Sequence, residues 1–193
     1  MLKYLITSYG YLSDHGKYVE GLKTIYVDSS VTASIAAGLR FLPPMETASM
    51  QDAALVLTCA PAEADEKWFA QPNAREQGYV IRERKGQILI SACCAQGLLY
   101  GIAPLIQLPA LQPGFVIKDY PSIRYRANKW LIWAETEMWS YDHGDGYDAV
   151  LARVIRKLDT CLKYKINMVY FDGWGTDPER SPRYKTFMRR CNQ

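Results

Sequence analysis

Apolar residues in the first 118 positions come in short segments separated by polar ones, a pattern that predicts alternating strands and helices. Short runs of β-branched and aromatic residues predict strands at 24–27 and 54–58. Between them, residues 31–41 place apolar side chains at helical spacing, and Pro43–Pro44 predicts the end of that helix. The first part of the chain is therefore expected to be of the α/β class.

A hairpin followed by a helix is the clearest local prediction. Residues 78–84 and 87–91 are rich in strand formers, and Lys85–Gly86 between them suits a tight turn. Residues 95–108 then carry an apolar helical stripe, in which Pro104 predicts a kink or a short break. The preceding segment, 60–72, is expected to be a polar connection with a short helical turn.

A domain boundary is predicted near residue 118, where three prolines and a glycine fall within residues 109–121. The second domain begins with an extended, aromatic-rich run at 123–133. An amphipathic helix then covers 148–165, with apolar positions at a period near 3.6 residues. A buried-type strand follows at 167–171, so this part is predicted to be a βαβ unit with parallel strands.

Composition narrows the functional classes. The chain has 193 residues, of which 49% are hydrophobic and 22% charged, as in ordinary globular proteins. The formal net charge of +3 is weak and scattered, so we expect no nucleic-acid partner. No apolar stretch approaches the roughly 20 residues of a membrane span, and the first ten residues lack an export signal, so no membrane partner is expected.

Cysteine and histidine usage points to a reduced, cytoplasmic protein without a metal. The five cysteines are an odd number without a C-x-x-C pair, and Cys93 and Cys94 are expected to be small buried residues. The only two histidines, His15 and His143, do not have ligand spacing from two cysteines, so zinc is not expected. There is neither a glycine-rich phosphate loop nor a nucleophile elbow, so we expect no cofactor and a small doubly wound enzyme has little support.

The order of motifs in residues 50–172 resembles a known family. Three stretches carry the likeness: the hairpin 78–90, the segment Gly97-Leu98-Leu99-Tyr100-Gly101 with its downstream Leu105-Ile106-Gln107-Leu108, and Asp119-Tyr120-Pro121 with the helix and strand of 157–171. Together they resemble the small α/β domain and the first barrel elements of β-N-acetylhexosaminidases of glycoside hydrolase family 20.

The resemblance implies an α/β fold in two parts. Residues 1–118 would be an accessory α+β domain with a β-hairpin and helices, and residues 119–193 an incomplete (β/α)₈ barrel segment, because a complete barrel needs about 250 residues. The chain would then be the N-terminal fragment of an enzyme that hydrolyses terminal N-acetylhexosamine residues of a carbohydrate substrate. Open barrel edges would favour self-association or pairing with a missing C-terminal portion.

The resemblance also implies site residues. Arg126 matches a first-strand arginine that binds sugar hydroxyls, Asp172 lies at a strand end, and Trp174 between two glycines offers a face for stacking on a sugar. A salt-bridged arginine, a solvated loop carboxylate and a core tryptophan are the structural alternatives. The family's catalytic Asp-Glu pair is expected to be absent, because the only such dipeptide, Asp65–Glu66, is predicted to be a solvated surface pair of the first domain.

Two differences from the family pattern leave alternatives open. Ala127 stands where a glycine is usual, and no histidine occurs in residues 172–177. A neighbouring glycoside hydrolase family with the same two-domain layout therefore fits nearly as well. The chain is expected to be inactive alone, and the alternative function is a non-catalytic structural or carbohydrate- or protein-interaction module.

Overall fold

The computed structural model describes residues 17–107, 113–131 and 146–172 of the chain. It divides into two compact units, with the division between Ser122 and Ile123. No helix in the described ranges combines the length and the apolar character that crossing a membrane requires.

The described part of the first unit contains helices and a six-stranded sheet. Its elements, in chain order, are α1 (Lys17–Glu20), β1 (Thr24–Val27), α2 (Thr32–Leu39), β2 (Glu46–Thr47), β3 (Leu55–Thr58), a 3₁₀ turn (Glu63–Asp65), α3 (Glu66–Phe69), α4 (Pro72–Gln77), β4 (Tyr79–Arg84), β5 (Gln87–Ala92), α5 (Ala95–Leu105) and β6 (Val116–Asp119).

The strands of this sheet lie in the order β2-β1-β3-β5-β4-β6. Strands β2, β1, β3 and β5 are mutually parallel, whereas β4 runs antiparallel to both β5 and β6. A mixed, mostly parallel sheet with helices confirms the predicted α/β class. Because β6 pairs with β4, the segment up to residue 119 belongs to the first unit.

The predicted hairpin is confirmed, and its turn chemistry explains it. Lys85 and Gly86 both have positive φ, 54° and 82°, as the two central residues of a type I′ turn require. The Glu83 carboxylate accepts hydrogen bonds from the backbone N–H groups of Gly86 and Gly114, and these bonds lower its pKa. The same carboxylate therefore joins the hairpin turn to the loop that leads into β6.

Side-chain alternation along the central strands buries both faces of the sheet. Tyr79 and Ile81 of β4 join the larger core cluster, which includes Ile35 of α2 and Leu98 of α5. Val80, between them, packs on the other face in a smaller cluster with residues of α3 and α4. Coverage on both faces is what a largely parallel sheet requires.

Two glycines let helix α5 approach the sheet closely. A Cβ atom added at Gly97 would lie 2.3 Å from the carbonyl oxygen of Gly78, and one at Gly101 would lie 2.5 Å from Cγ2 of Ile90. Both glycines belong to the Gly97–Gly101 motif on which the family resemblance partly depends. Packing is therefore the physical reason for glycine at both positions.

The connections of the first unit differ in detail from expectation. Helix α5 ends at Leu105, one residue after Pro104, and not at 108. Helix α4 was not predicted, although it begins with Pro72, a residue typical of a first helical position.

Asp65 corrects a prediction. It is not solvated: its side chain is 1% exposed. The Arg82 guanidinium donates from Nη2 to both carboxylate oxygens at 2.9 and 2.8 Å, and Lys118 Nζ lies 2.7 Å from Oδ1. The connection containing Asp65 packs onto the sheet, so its carboxylate meets cations of β4 and β6, whereas Glu66 is exposed as predicted.

The second unit is a βαβ arrangement, which confirms the prediction. Its described elements are β7 (Ala127–Leu131), α6 (Gly146–Lys163) and β8 (Met168–Asp172). The two strands are parallel, and their register pairs Ala127 with Met168 and Leu131 with Asp172. Within the described residues this sheet has two strands, so the predicted barrel segment stays a prediction.

Candidate functional site

The β7–β8 sheet has two chemically different ends. Arg126 and Asn167 directly precede β7 and β8, so they lie at the amino end of the parallel pair. Asp172 is the last residue of β8 and pairs in register with Leu131, the last residue of β7. In (β/α)₈ barrels the active site is built at the carboxyl end of the strands, and the amino end serves stability.

Two nitrogen atoms of the Arg126 guanidinium donate hydrogen bonds to main-chain carbonyl groups. Its Nε donates to the carbonyl oxygen of Lys165 at 2.6 Å, and its Nη1 donates to that of Ile123 at 2.5 Å. Lys165, two residues after the end of α6, has a left-handed backbone with φ of 57°. The arginine thereby joins the segment before β7 to the turn between α6 and β8.

Asn167 completes this connection, and sequence reasoning missed it. Its Oδ1 accepts a hydrogen bond from the Arg126 N–H at 2.8 Å, and its Nδ2 donates to the carbonyl oxygen of Arg124 at 2.7 Å. A polar residue at the start of the predicted strand 167–171 was the only available clue, and such residues are common in turns. Arg126 and Asn167 together hold the two strand starts side by side.

The structure places Arg126 and Asp172 at opposite ends of the β7–β8 sheet. Arg126 precedes β7, and Asp172 ends β8; at about 3.3 Å per residue the two ends are separated by roughly 16 Å along the strands. That distance exceeds the width of a single sugar ring. Trp174 lies outside the described residues.

Other candidate chemistry in the described part is limited. Within residues 17–107, 113–131 and 146–172, no three His, Cys, Asp or Glu side chains are grouped so that they could hold a metal ion. The carboxylate of Asp65 is bound to Arg82 and Lys118. It is therefore placed as a structural anchor and not as half of an Asp-Glu catalytic pair.

Three cysteines follow neighbouring strands of the first unit, and two of them, Cys59 and Cys93, are not activated nucleophiles. Cys59 follows β3, and Cys93 and Cys94 follow β5. All three are half-buried, so Cys93 and Cys94 are less buried than predicted. Burial, together with the nearby Cys94, Asp28 and Cys93, raises the pKa of Cys59 to about 11. Burial also raises the pKa of Cys93. Raised pKa values keep the thiols of Cys59 and Cys93 protonated at neutral pH, whereas nucleophilic cysteines have lowered pKa values.

Comparison with known proteins finds similar solved structures but no similar sequences. No model of a known protein family matches the chain, and no curated protein sequence matches it. An N-acetyl-β-hexosaminidase of Streptomyces plicatus in complex with Thio-NAglucal matches 85% of this chain and 34% of its own, with a TM-score of 0.56 and 21% identity.

Two further solved structures match similarly. A β-N-acetylhexosaminidase of Bacteroides fragilis matches 84% of this chain and 32% of its own, with a TM-score of 0.57 and 17% identity. A family 20 exo-β-N-acetylglucosaminidase of Vibrio harveyi, in complex with N-acetylglucosamine, matches 83% of this chain and 24% of its own, with a TM-score of 0.56 and 16% identity.

These likenesses confirm the family resemblance of the motifs at the level of the fold. The chain has the fold of part of a family 20 β-N-acetylhexosaminidase. A match to 85% of the 193 residues exceeds the first unit, which ends at Ser122, so it extends into the second. The chain spans about a third or less of the solved proteins that it matches.

Proposed function

We propose that this chain is the N-terminal portion of a glycoside hydrolase that removes terminal N-acetylhexosamine residues from carbohydrates. Residues 1–118 would be its accessory domain, and residues 119–193 the beginning of its catalytic barrel. The observation that supports this most is the structural likeness, which covers both units in hexosaminidases of three organisms. The free thiols of the described cysteines agree with a reduced, cytoplasmic compartment.

The proposed sugar contacts lie at the carboxyl end of β8. Asp172 ends this strand, and a carboxylate there accepts hydrogen bonds from sugar hydroxyls. Trp174, two residues later, would stack its ring on the C–H face of a sugar. Arg126 supports the site indirectly, because its described hydrogen bonds go to main-chain carbonyls at the amino end.

The chain alone is expected to be inactive. The residues assigned to the site bind and orient a sugar, whereas glycoside hydrolysis also needs a carboxyl group as general acid. We propose that further barrel strands, encoded beyond the Gln193 codon, supply that acid. Hydrolysis of an aryl N-acetyl-β-glucosaminide by the purified chain would contradict this part of the proposal.

The decisive experiment is complementation. The polypeptide encoded downstream is co-expressed with this chain, and release of the aryl group is measured for each part and for both together. Activity should require both parts, and Asp172→Asn should lower kcat/KM by about 10- to 100-fold, the effect of losing one hydrogen bond to a charged group. Glu46→Gln, at an exposed position on the short edge strand β2, is the control and should leave activity unchanged. Unchanged activity of the Asp172→Asn variant would refute the proposed role of Asp172.

One observation favours the alternative of a non-catalytic module. The first unit has its own core on both faces of its sheet. Limited proteolysis discriminates between the two proposals. Cleavage that leaves a stable piece ending near residues 118–122 supports a truncated barrel, whereas a resistant second unit supports a self-sufficient module.

A further inference from the structure

The last strand of the first unit ends at a carboxylate that a buried tyrosine holds. Asp119, the last residue of β6, pairs in register with Tyr79 of β4, and the Tyr79 hydroxyl donates a hydrogen bond to its Oδ2 at 2.8 Å. The Tyr79 side chain is 1% exposed and belongs to the larger core cluster. A phenol that is buried this deeply needs a hydrogen-bond partner, and the end of β6 supplies it.

Tyr120, the next residue, is held on the opposite face of the sheet, where it packs against the smaller core cluster. Its ring meets Trp68 of α3 edge-on, with 5.6 Å between the ring centres. Its hydroxyl donates to Oε1 of Gln71, which lies between α3 and α4, at 2.6 Å. Asn73 of α4 donates from Nδ2 to the carbonyl oxygen of Ser122 at 3.4 Å. Side chains on both faces of the sheet therefore fix the chain where it leaves the first unit.

The anchors of the second unit begin at the next residue. Arg126 donates from Nη1 to the carbonyl oxygen of Ile123 at 2.5 Å, and Asn167 donates from Nδ2 to that of Arg124 at 2.7 Å. A flexible linker would instead contain several residues without such contacts. Residues 119–122, whose contacts are called the exit clamp below, therefore lead without a spacer into residues that the second unit fixes.

An anchored start matters for a unit as small as the second. An isolated pair of strands is at best marginally stable in water. Fixing the backbone of each residue costs conformational entropy, and in the folded first unit the exit clamp has already fixed the residues that precede β7. Because N-terminal units fold first during synthesis, β7 can form from a start that is already in place.

We propose that the first unit is a folding template for the second, and that the exit clamp couples the stability of the two. The stability of β7 should then depend on Tyr79 and Tyr120, although both residues lie in the first unit. This role goes beyond the proposed hydrolysis, because it requires neither a sugar nor a catalytic carboxyl group.

The test is hydrogen–deuterium exchange of the full chain, measured by mass spectrometry on peptides from β6, β7 and β8. Tyr79→Phe removes one hydroxyl group and keeps the ring in the core. Amide exchange in β7 should become about tenfold faster, because a hydrogen bond to a charged group is lost from the exit clamp. Tyr120→Phe removes the hydrogen bond to Gln71 on the other face and should also accelerate exchange in β7.

The matched control is Tyr100→Phe. Tyr100 is another buried tyrosine of the first unit, 2% exposed, and its hydroxyl accepts a hydrogen bond from Gln96 within α5. This variant loses the same chemical group away from the exit clamp, so exchange in β7 should stay as in the unchanged chain. Far-UV circular dichroism verifies that each variant folds.

The outcomes separate coupling from general destabilisation. Faster exchange in β7 in both exit-clamp variants, but not in Tyr100→Phe, would support the proposal. Unchanged exchange in β7 in both variants would overturn it, because the clamp would then stabilise the first unit alone. Equal acceleration by Tyr100→Phe would also overturn it, since any loss of stability in the first unit would then have the same effect.

Discussion

Replacing Gly97 by alanine tests whether the family-like motif is a packing device. The added Cβ would lie 2.3 Å from the Gly78 carbonyl oxygen and 2.7 Å from the Ala92 Cβ, whereas ordinary contact begins at 3.4 Å. The nearer atom belongs to the backbone and cannot rotate away. Helix α5 must therefore move away from the sheet by about 1 Å at this point.

The expected loss of stability follows from competing effects. Overpacking in a well-packed core costs typically about 1–3 kcal/mol. Moving α5 also loosens Leu98, Tyr100 and Ile102, which are 0–2% exposed, and a gap of 0.5–1 Å forfeits about a quarter to a half of each dispersion contact. Alanine regains at most about 1 kcal/mol of helix propensity. The free energy of unfolding should therefore fall by about 2–3 kcal/mol.

Urea denaturation followed by far-UV circular dichroism measures this change, and the chain offers a graded series. Gly101→Ala should cost less than Gly97→Ala, because its nearest contact is a side-chain methyl group of Ile90. Gly38→Ala should cost less again, since the Cβ meets only the ends of two side chains. Gly21→Ala meets nothing within 4 Å and should change stability by about 0.5 kcal/mol or less. A Gly97→Ala variant as stable as Gly21→Ala would refute the reasoning.

Two further predictions concern groups that the fold buries. Asp65→Asn should lower the free energy of unfolding by about 2–4 kcal/mol, because Arg82 and Lys118 would face each other without their shared carboxylate. Urea denaturation measures it, Glu66→Gln is the exposed control, and equal effects of the two changes would contradict the burial argument. Cys59 should react with iodoacetamide at pH 8 about 20-fold more slowly than a cysteine in a short peptide, since its pKa of about 11 lowers the thiolate fraction more than it raises nucleophilicity. Mass spectrometry of the labelled chain measures the rate, and a rate equal to that of the peptide would exclude the raised pKa.

Local sequence patterns were sufficient to predict those elements that a few neighbouring residues specify. The turn at Lys85–Gly86 needs two positive φ values, and a glycine beside a polar residue supplies them within the hairpin itself. The period of residues 148–165 predicted helix α6, and the next apolar run predicted β8. Parallel pairing of β7 and β8 followed, because a helix between two strands returns the chain in the same direction.

The neighbours of two candidate residues could not be predicted from the sequence, because they lie far away along the chain. The dipeptide Asp65–Glu66 looks polar throughout, yet only the sheet brings Arg82 and Lys118 to the Asp65 carboxylate. Arg126 likewise resembles a sugar ligand by its position in a motif. Only the register of β7 with β8 places it at the amino end, at the other end of the strands from Asp172.

The sequence by itself determined the hairpin, the longest helices, the fold class and the likeness to family 20, because periodicity and turn chemistry act over a few residues. Tertiary structure alone decided which polar groups are buried together and which end of a strand each candidate occupies. It also decided that Met168 and Tyr170 stay exposed although they belong to a buried-type strand. The physical reason is that the burial of a strand depends on what packs against it. The strand's own residues determine only whether its faces are apolar.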